Sequence, residues 1–168
     1  TKLVRRAVAV IENMDELELI IEESRAADVR PHIGVRLKLD VPSTGRWRHS
    51  TGEKAKFGLT IPGVLQVVER LGAAGMLDCL QLLHCHMGSQ ISDIQVINTG
   101  LTELARVFVD LQALGAELHY IDVGGGLGID YDGSQTNSDN YCELCAPSWM
   151  AARVYYFGNN NGNGNAGP

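Results

Sequence analysis

The first residues that could carry chemistry are the run His-Cys-His-Met-Gly-Ser-Gln at positions 84–90. The run closes an apolar, strand-like stretch, and alternation along a strand places His84 and His86 on one side. Three interpretations stay open: a pair of metal ligands, an imidazole face stacked on a flat cofactor with Ser89 near its phosphate, or polar groups bonded to backbone at a strand end. Because the pattern offers no third ligand, we predict no metal site.

A triple glycine, Gly124-Gly125-Gly126, directly follows another apolar stretch, and Gly128 stands just after it. Bare N–H groups at such a turn can converge on a phosphate, and no Cβ blocks its approach. The alternative is a tight turn that needs a positive φ. The pattern is not the dinucleotide-binding motif, because Ile129 stands where that motif has its third small residue.

An arginine, Arg36, stands in the middle of a third apolar stretch. A guanidinium in a buried parallel strand needs an acceptor, because an uncompensated buried charge is costly. A polar site inside a barrel would supply that acceptor; the alternative is an edge strand with Arg36 in solvent. The segment 41–58 that follows is long for a βα loop, which usually has about 2 to 6 residues, and loops of that length are usually functional.

These groups are positioned by an alternation of strands and helices. Four stretches have the composition of strands: residues 7–11, 31–39, 80–85 and 118–123. Helical periodicity separates them, and helices are predicted to begin at Asn13, Thr60, and Ser92 or Asp93. This order predicts parallel βα units, in either a TIM barrel or a doubly wound sheet. The functional groups would then gather at the carboxyl ends of the strands.

The composition is that of a globular protein. The chain has 168 residues, of which 45% are hydrophobic and 20% charged, with a net charge of -6. An acidic surface offers no counter-charge to nucleic acid or an anionic membrane, and no apolar run approaches the roughly 20 residues of a membrane span. We therefore predict no nucleic-acid or membrane partner. Four cysteines are too few for a disulfide framework, so we expect a reducing cytoplasm.

The character of the sequence changes near its end. Residues 142–157 have no clear period, and residues 159–168 are almost wholly Asn and Gly. Such a segment cannot bury enough apolar surface to offset the entropy of ordering it. We predict one domain at residues 1–138 and a disordered tail at residues 139–168.

Four stretches together resemble the biosynthetic arginine decarboxylase family, whose members are pyridoxal phosphate-dependent barrels of the alanine-racemase type. The stretches are Gly34–Leu39, Ser50–Leu59, Gly75–Gln90 and Ile121–Gly133. The resemblance implies an α/β fold with part of a TIM (β/α)8 barrel, in about four βα units. It also implies pyridoxal 5'-phosphate as cofactor and, from the family alone, a Mg²⁺ ion.

The resemblance assigns six residues to the cofactor: Arg36, His86, Ser89, Gly124, Gly125 and Gly126. His86 would stack on the pyridine ring, Ser89 and the glycines would hold the phosphate, and Arg36 would join a polar network beneath the ring. Lys56 would lie near a dimer interface. The motif with the family's Schiff-base lysine is not in this sequence, so no catalytic residue is assigned.

The activity implied for a parent protein is conversion of arginine to agmatine and carbon dioxide, which feeds polyamine synthesis. Such a parent would be a homo-oligomer, and the 168-residue chain alone is expected to be inactive. The alternatives are a diaminopimelate or ornithine decarboxylase, a non-catalytic barrel that binds the same cofactor, and an inert interaction fragment.

Overall fold

Parallel strands form the centre of the structure, a computed structural model that describes residues 7–39, 57–88, 91, 94–125 and 154–156. The strands are β1 (Ala9–Ile11), β2 (Ile33–Leu37), β3 (Leu80–Cys85), β4 (Tyr120–Asp122) and β5 (Val154–Tyr156). The helices are α1 (Met14–Ala26), α2 (Ile61–Ala74) and α3 (Ile94–Ala113), with a short 3-10 turn at Leu77–Cys79 before β3.

The order of the strands distinguishes between the two predicted architectures. The described strands form one sheet in the order β1-β2-β3-β4-β5. The first four run parallel to their sequence neighbours, and β5 runs antiparallel to β4. A doubly wound sheet reverses its order at a switch point, whereas a barrel adds each βα unit beside the previous one. The sequential order therefore favours the barrel, and the doubly wound alternative is wrong for this part of the chain.

The two faces of the sheet have different surroundings. On one face, alternate strand residues pack with all three helices in a single hydrophobic core, whose fully buried members include Leu17, Val35, Leu71, Leu83 and Leu104. Leu82 is also buried but lies outside that core. It approaches β2 where Gly34 has no side chain, since a Cβ there would lie 2.8 Å from Leu82 Cδ2. The face opposite the helices therefore has its own packing.

Helix α1 has the predicted N-cap, Asn13, whose Oδ1 accepts the Glu16 N–H at 2.9 Å. The Glu16 carboxylate reaches back and accepts the Glu12 N–H at 2.7 Å and the Asn13 side-chain amide at 2.9 Å. These bonds resemble a capping box, with one difference. The Glu16 carboxylate accepts the backbone N–H of Glu12, one residue before the N-cap, instead of the backbone N–H of Asn13 itself. It fixes the chain immediately after β1.

Helix α2 also has the predicted limits, but its start is stabilised differently. Thr60 is the N-cap residue, yet its side chain makes no capping bond. The first helical bond is instead from Val64 N–H to the Thr60 carbonyl at 2.9 Å, and Pro62 lies in the first turn, where its missing N–H costs little. The helix ends at Gly75, which has the left-handed conformation expected of a stop, with φ of 68°.

Part of the sequence prediction falls outside the described residues. The predicted start of α3 at Ser92 or Asp93 lies there, as does most of the tail predicted at residues 139–168. Residues 154–156 of that tail form β5. The domain boundary after residue 138 stays a prediction. Within the described ranges, no helix combines the length and apolar composition that a membrane span requires.

Two glycines near the end of α2 allow the cost of backbone strain to be measured apart from that of steric crowding. In the described part of the chain, nothing lies within 4 Å of a Cβ built on Gly72 or Gly75, and of these two glycines only Gly75 has a positive φ. Gly72→Ala should raise the free energy of unfolding by about 0.5 to 1 kcal/mol, because alanine loses less entropy in a helix. Gly75→Ala should lower it by about 1 to 2 kcal/mol, because a Cβ is strained in the left-handed region.

The measurement is thermal unfolding of the complete protein, meaning the product of the complete coding sequence that contains this chain. Shifts of the same sign in the two variants would contradict the assigned end of α2.

Candidate cofactor site

Four titratable side chains form a row across the carboxyl ends of the parallel strands. Arg36 is in register with His84, and His84 is in register with Asp122. Glu12 directly follows β1, whose last residue, Ile11, is in register with the residue before Arg36. Residues in register on neighbouring strands lie on the same face of a sheet. We therefore refer to Glu12, Arg36, His84 and Asp122 as the polar row.

Arg36 is neutralised within this row. Its Nη1 donates to Glu12 Oε1 at 2.5 Å, and its guanidinium carbon lies 5.6 Å from the centre of the Phe57 ring. The side chains of Arg36 and Glu12 are only 23% and 30% exposed, so the pair is partly desolvated. Because β2 lies between β1 and β3, the alternative of an edge strand with Arg36 in solvent is wrong. The predicted need for an acceptor is met by Glu12.

The long loop after β2 returns to the same place. The Leu59 N–H donates to the Arg36 carbonyl at 2.8 Å, and the Lys38 N–H donates to the Leu59 carbonyl at 2.8 Å. Gly58 has φ of 88°, and a Cβ there would lie 2.9 Å from the Arg36 carbonyl oxygen. The end of the loop is thus attached to β2 beside the polar row. Lys56, predicted near an interface, lies outside the described residues.

The other half of the row is the contact between His84 and Asp122. Nδ1 of His84 lies 3.1 Å from the Asp122 carbonyl oxygen and 3.2 Å from Asp122 Oδ2. Both of these oxygens are acceptors, so we assign the proton to Nδ1, which then donates. Asp122 Oδ1 accepts the Gly124 N–H at 2.9 Å. Asp122 therefore links β3 to the start of the triple glycine.

The first glycine lies tightly against the end of β3. Gly124 has φ of 65°, and a Cβ there would lie 2.8 Å from the Cys85 carbonyl oxygen and 2.9 Å from His86 Nδ1. The predicted positive φ is therefore present at this position. Gly125 is exposed, and no other described residue lies within 4 Å of a Cβ built on it. We call Gly124 and Gly125 the glycine turn: its first residue lies against the end of β3, and its second is exposed.

His86 is exposed just beyond β3, and its pKa is lowered from that of a free histidine. Partial desolvation lowers its pKa, the neighbouring Arg36 and His84 lower it further, and Asp122 raises it. An unperturbed histidine has a pKa of about 6.5, so a lowered value leaves the imidazole neutral at pH 7. A neutral imidazole can stack its face on a flat ring without bringing a charge into that contact.

The cysteine between the two histidines is not a nucleophile. Cys85 is a buried free thiol on the core face of β3. Burial raises its pKa to about 12. The thiolate is the reactive form of cysteine, so Cys85 serves packing.

Four of the six predicted cofactor-binding residues lie at this end of the sheet: Arg36, His86, Gly124 and Gly125. The other two, Ser89 and Gly126, lie outside the described residues. All six roles stay predictions. In the part of the chain that the structure describes, no group of three or more His, Cys, Asp and Glu side chains could hold a metal ion.

Three residues of the site were missed by sequence reasoning: Glu12, Phe57 and Asp122. For Glu12 and Asp122, the position in the sequence could have indicated a place in the site. Glu12 immediately follows an apolar strand, and Asp122 stands two residues before the first glycine, at a strand's end. The contact of Phe57 with Arg36 had no such signal, because it depends on where the long loop returns.

The family of the chain follows from a comparison with known sequences. Residues 2–162 match the family described as pyridoxal-dependent decarboxylase, pyridoxal binding domain. The chain belongs to this family. The matched range runs past the boundary that we predicted at residue 138.

Relatives of this family member include two biosynthetic arginine decarboxylases. The biosynthetic arginine decarboxylase of Nostoc sp. is 50% identical over 143 residues, and biosynthetic arginine decarboxylase 1 of Synechocystis sp. is 53% identical over 143 residues. Each alignment covers 83% of this chain and 21% of the relative. The chain thus spans about a fifth of the length of the curated relatives it matches.

Solved structures of family relatives have the same fold as this chain. The biosynthetic arginine decarboxylase of Campylobacter jejuni aligns with a TM-score of 0.67 and 30% identity, covering 84% of this chain and 22% of that one. The diaminopimelate decarboxylase of Helicobacter pylori, solved with L-lysine, aligns with a TM-score of 0.67 and 26% identity, covering 77% and 33%. Together with the sequential parallel strands, these alignments confirm the predicted partial barrel.

The pairing of Arg36 with Glu12 can be tested through stability. Arg36→Met should lower the free energy of unfolding of the complete protein by about 1 to 3 kcal/mol, because it leaves the Glu12 carboxylate partly buried without its donor. Adding Glu12→Gln should restore part of that loss, because no uncompensated charge then remains. The two single variants and the double variant form a thermodynamic cycle. Strictly additive losses would contradict the pairing.

Proposed function

We propose that the protein containing this chain is a pyridoxal phosphate-dependent decarboxylase that converts arginine to agmatine and carbon dioxide. This chain would form part of its cofactor site. The observation that carries the proposal is the position of Gly124 against His86, at 2.9 Å between a Cβ built on the glycine and Nδ1 of the histidine. It brings a glycine turn suited to phosphate beside a neutral imidazole suited to a flat ring.

The described residues fit such a cofactor in two respects. Gly125 is exposed, and among the described residues nothing lies within 4 Å of a Cβ built on it, so an anion could approach its backbone closely. His86 is exposed, so its face is accessible to a ring. The family resemblance assigns Ser89 and Gly126 to the same phosphate, and both lie outside the described residues.

When bound, pyridoxal phosphate supplies the electron sink for loss of carbon dioxide. The chain's own residues have other tasks. The Gly125 N–H would donate to the phosphate, while the Gly124 N–H stays on Asp122, and His86 would orient the ring by stacking. Arg36, fixed on Glu12, would give the polar row a cation beneath the ring. Because Arg36 is held by its ion pair with Glu12 and the glycine turn by its bond to Asp122, these two would need little reorganisation on binding.

The choice of arginine is supported by the curated relatives, which are 50% and 53% identical biosynthetic arginine decarboxylases. The second candidate is a decarboxylase for diaminopimelate or ornithine. It is favoured by the Helicobacter pylori diaminopimelate decarboxylase, which aligns equally well in structure at 26% identity. A homo-oligomeric assembly, a cytoplasmic location and a Mg²⁺ ion stay predictions.

Cofactor binding can be tested at Gly125. In the complete protein, Gly125→Val should weaken the affinity for pyridoxal phosphate by about ten- to a hundredfold, because a branched side chain crowds the anion and loses charge-assisted hydrogen bonds. The affinity is measured by absorbance titration of the cofactor-free protein.

A matched control is Gly72→Val, which places the same side chain on α2 at a position with no described residue within 4 Å of its Cβ. The control should retain the parent's affinity. An affinity for pyridoxal phosphate that is equal in Gly125→Val and the parent would reduce the glycine turn to a structural role.

The substrate is tested by the release of labelled carbon dioxide from arginine, ornithine and diaminopimelate, each with the complete protein and added pyridoxal phosphate. We expect kcat/KM to be highest for arginine, with agmatine as the second product. A higher kcat/KM for diaminopimelate or ornithine would favour the second candidate. No release from any of the three would contradict the proposed activity.

A further inference from the structure

The polar row contains one histidine for which the proposed function has no use. His84 is separated from the glycine turn by Asp122, and the contacts are continuous. His84 Nδ1 lies 3.2 Å from Asp122 Oδ2, while Asp122 Oδ1 accepts the Gly124 N–H at 2.9 Å. One carboxylate thus has a separate partner on each oxygen.

The second partner limits how Asp122 can move. A carboxylate held only by one amide could rotate and leave that amide, whereas a contact on each oxygen fixes its plane. The Asp122 carbonyl, 3.1 Å from His84 Nδ1, gives the imidazole a further acceptor on the same residue. The side chains of His84 and Asp122 are only 17% and 22% exposed, so water competes weakly for these contacts.

The neighbouring cation does not take part in this contact. Arg36 is in register with His84, but its Nη1 donates to Glu12 at 2.5 Å on the other side. The polar row therefore consists of two separate pairs. The pair of His84 and Asp122 is the one that contacts the glycine turn.

We propose that His84 is a positioning residue: through Asp122 it fixes the glycine turn in the conformation that receives the phosphate of the cofactor. The inference rests on the proposed function, since it assumes that the glycine turn binds that phosphate. His84 would touch neither the cofactor nor the substrate. Its effect would be on the phosphate alone, because the ring is assigned to His86.

The test compares two ligands and two substitutions in the complete protein. Pyridoxal phosphate and pyridoxal share the ring, but pyridoxal lacks the phosphate. His84→Leu removes the donor at nearly constant volume, whereas His84→Asn retains an N–H at the position of Nδ1. We expect His84→Leu to weaken the affinity for pyridoxal phosphate about tenfold and to leave the affinity for pyridoxal unchanged. His84→Asn should recover most of the loss.

Two further variants serve as controls. His119→Leu makes the same change at a half-buried histidine that precedes β4, at the opposite end of the sheet, and should alter neither affinity. If His84→Leu does not yield folded protein, His84→Gln replaces it. Its amide lies one bond further out and cannot donate from the Nδ1 position, so the same loss is expected.

The outcomes separate the positioning role from the proposed function. If the unsubstituted parent protein binds pyridoxal as tightly as pyridoxal phosphate, both the proposed phosphate site and the positioning role of His84 are overturned. A second outcome would overturn the positioning role alone. The parent would bind pyridoxal phosphate more tightly than pyridoxal, Gly125→Val would abolish that difference in affinity, and His84→Leu would leave it intact. Equal losses for the two ligands in His84→Leu would also overturn the positioning role, because they would indicate general damage to the fold.

Discussion

A guanidinium inside a parallel sheet must be neutralised within the sheet, because moving an unpaired charge out of water is costly. Arg36 meets this constraint through Glu12, from the end of the neighbouring strand. On the other side, His84 meets Asp122 from the next strand. The polar row thus consists of two pairs contributed by four consecutive strands, and its register fixes how the carboxyl ends of those strands lie relative to one another.

The segments that build the site are attached to this row. The Glu16 carboxylate accepts the Glu12 N–H where α1 begins. The Arg36 carbonyl accepts the Leu59 N–H where the long loop returns. The Asp122 carboxylate accepts the first N–H of the glycine turn. Three loops that leave the carboxyl ends are therefore held by residues of the row, which explains why the chemistry proposed for this chain is concentrated there.

The elements of the fold could be predicted because their signals are local, as at the Asn13 cap and the Gly75 stop. The site could be predicted only in part. An acceptor for Arg36 was required by its burial, but Glu12 stands 24 positions away, and only strand register brings the two together. A slip of one residue would send such a side chain to the other face. β5 escaped prediction because three residues are too few to have a period.

The most direct test of the central claim is a crystal structure of the complete protein with pyridoxal phosphate bound. We expect the phosphate to accept the Gly125 N–H and the ring of His86 to lie against the pyridine. The pairs of Arg36 with Glu12 and of His84 with Asp122 should remain intact beneath the cofactor. A phosphate bound away from the glycine turn, or an Asp122 carboxylate turned away from Gly124 in the bound state, would contradict the central claim.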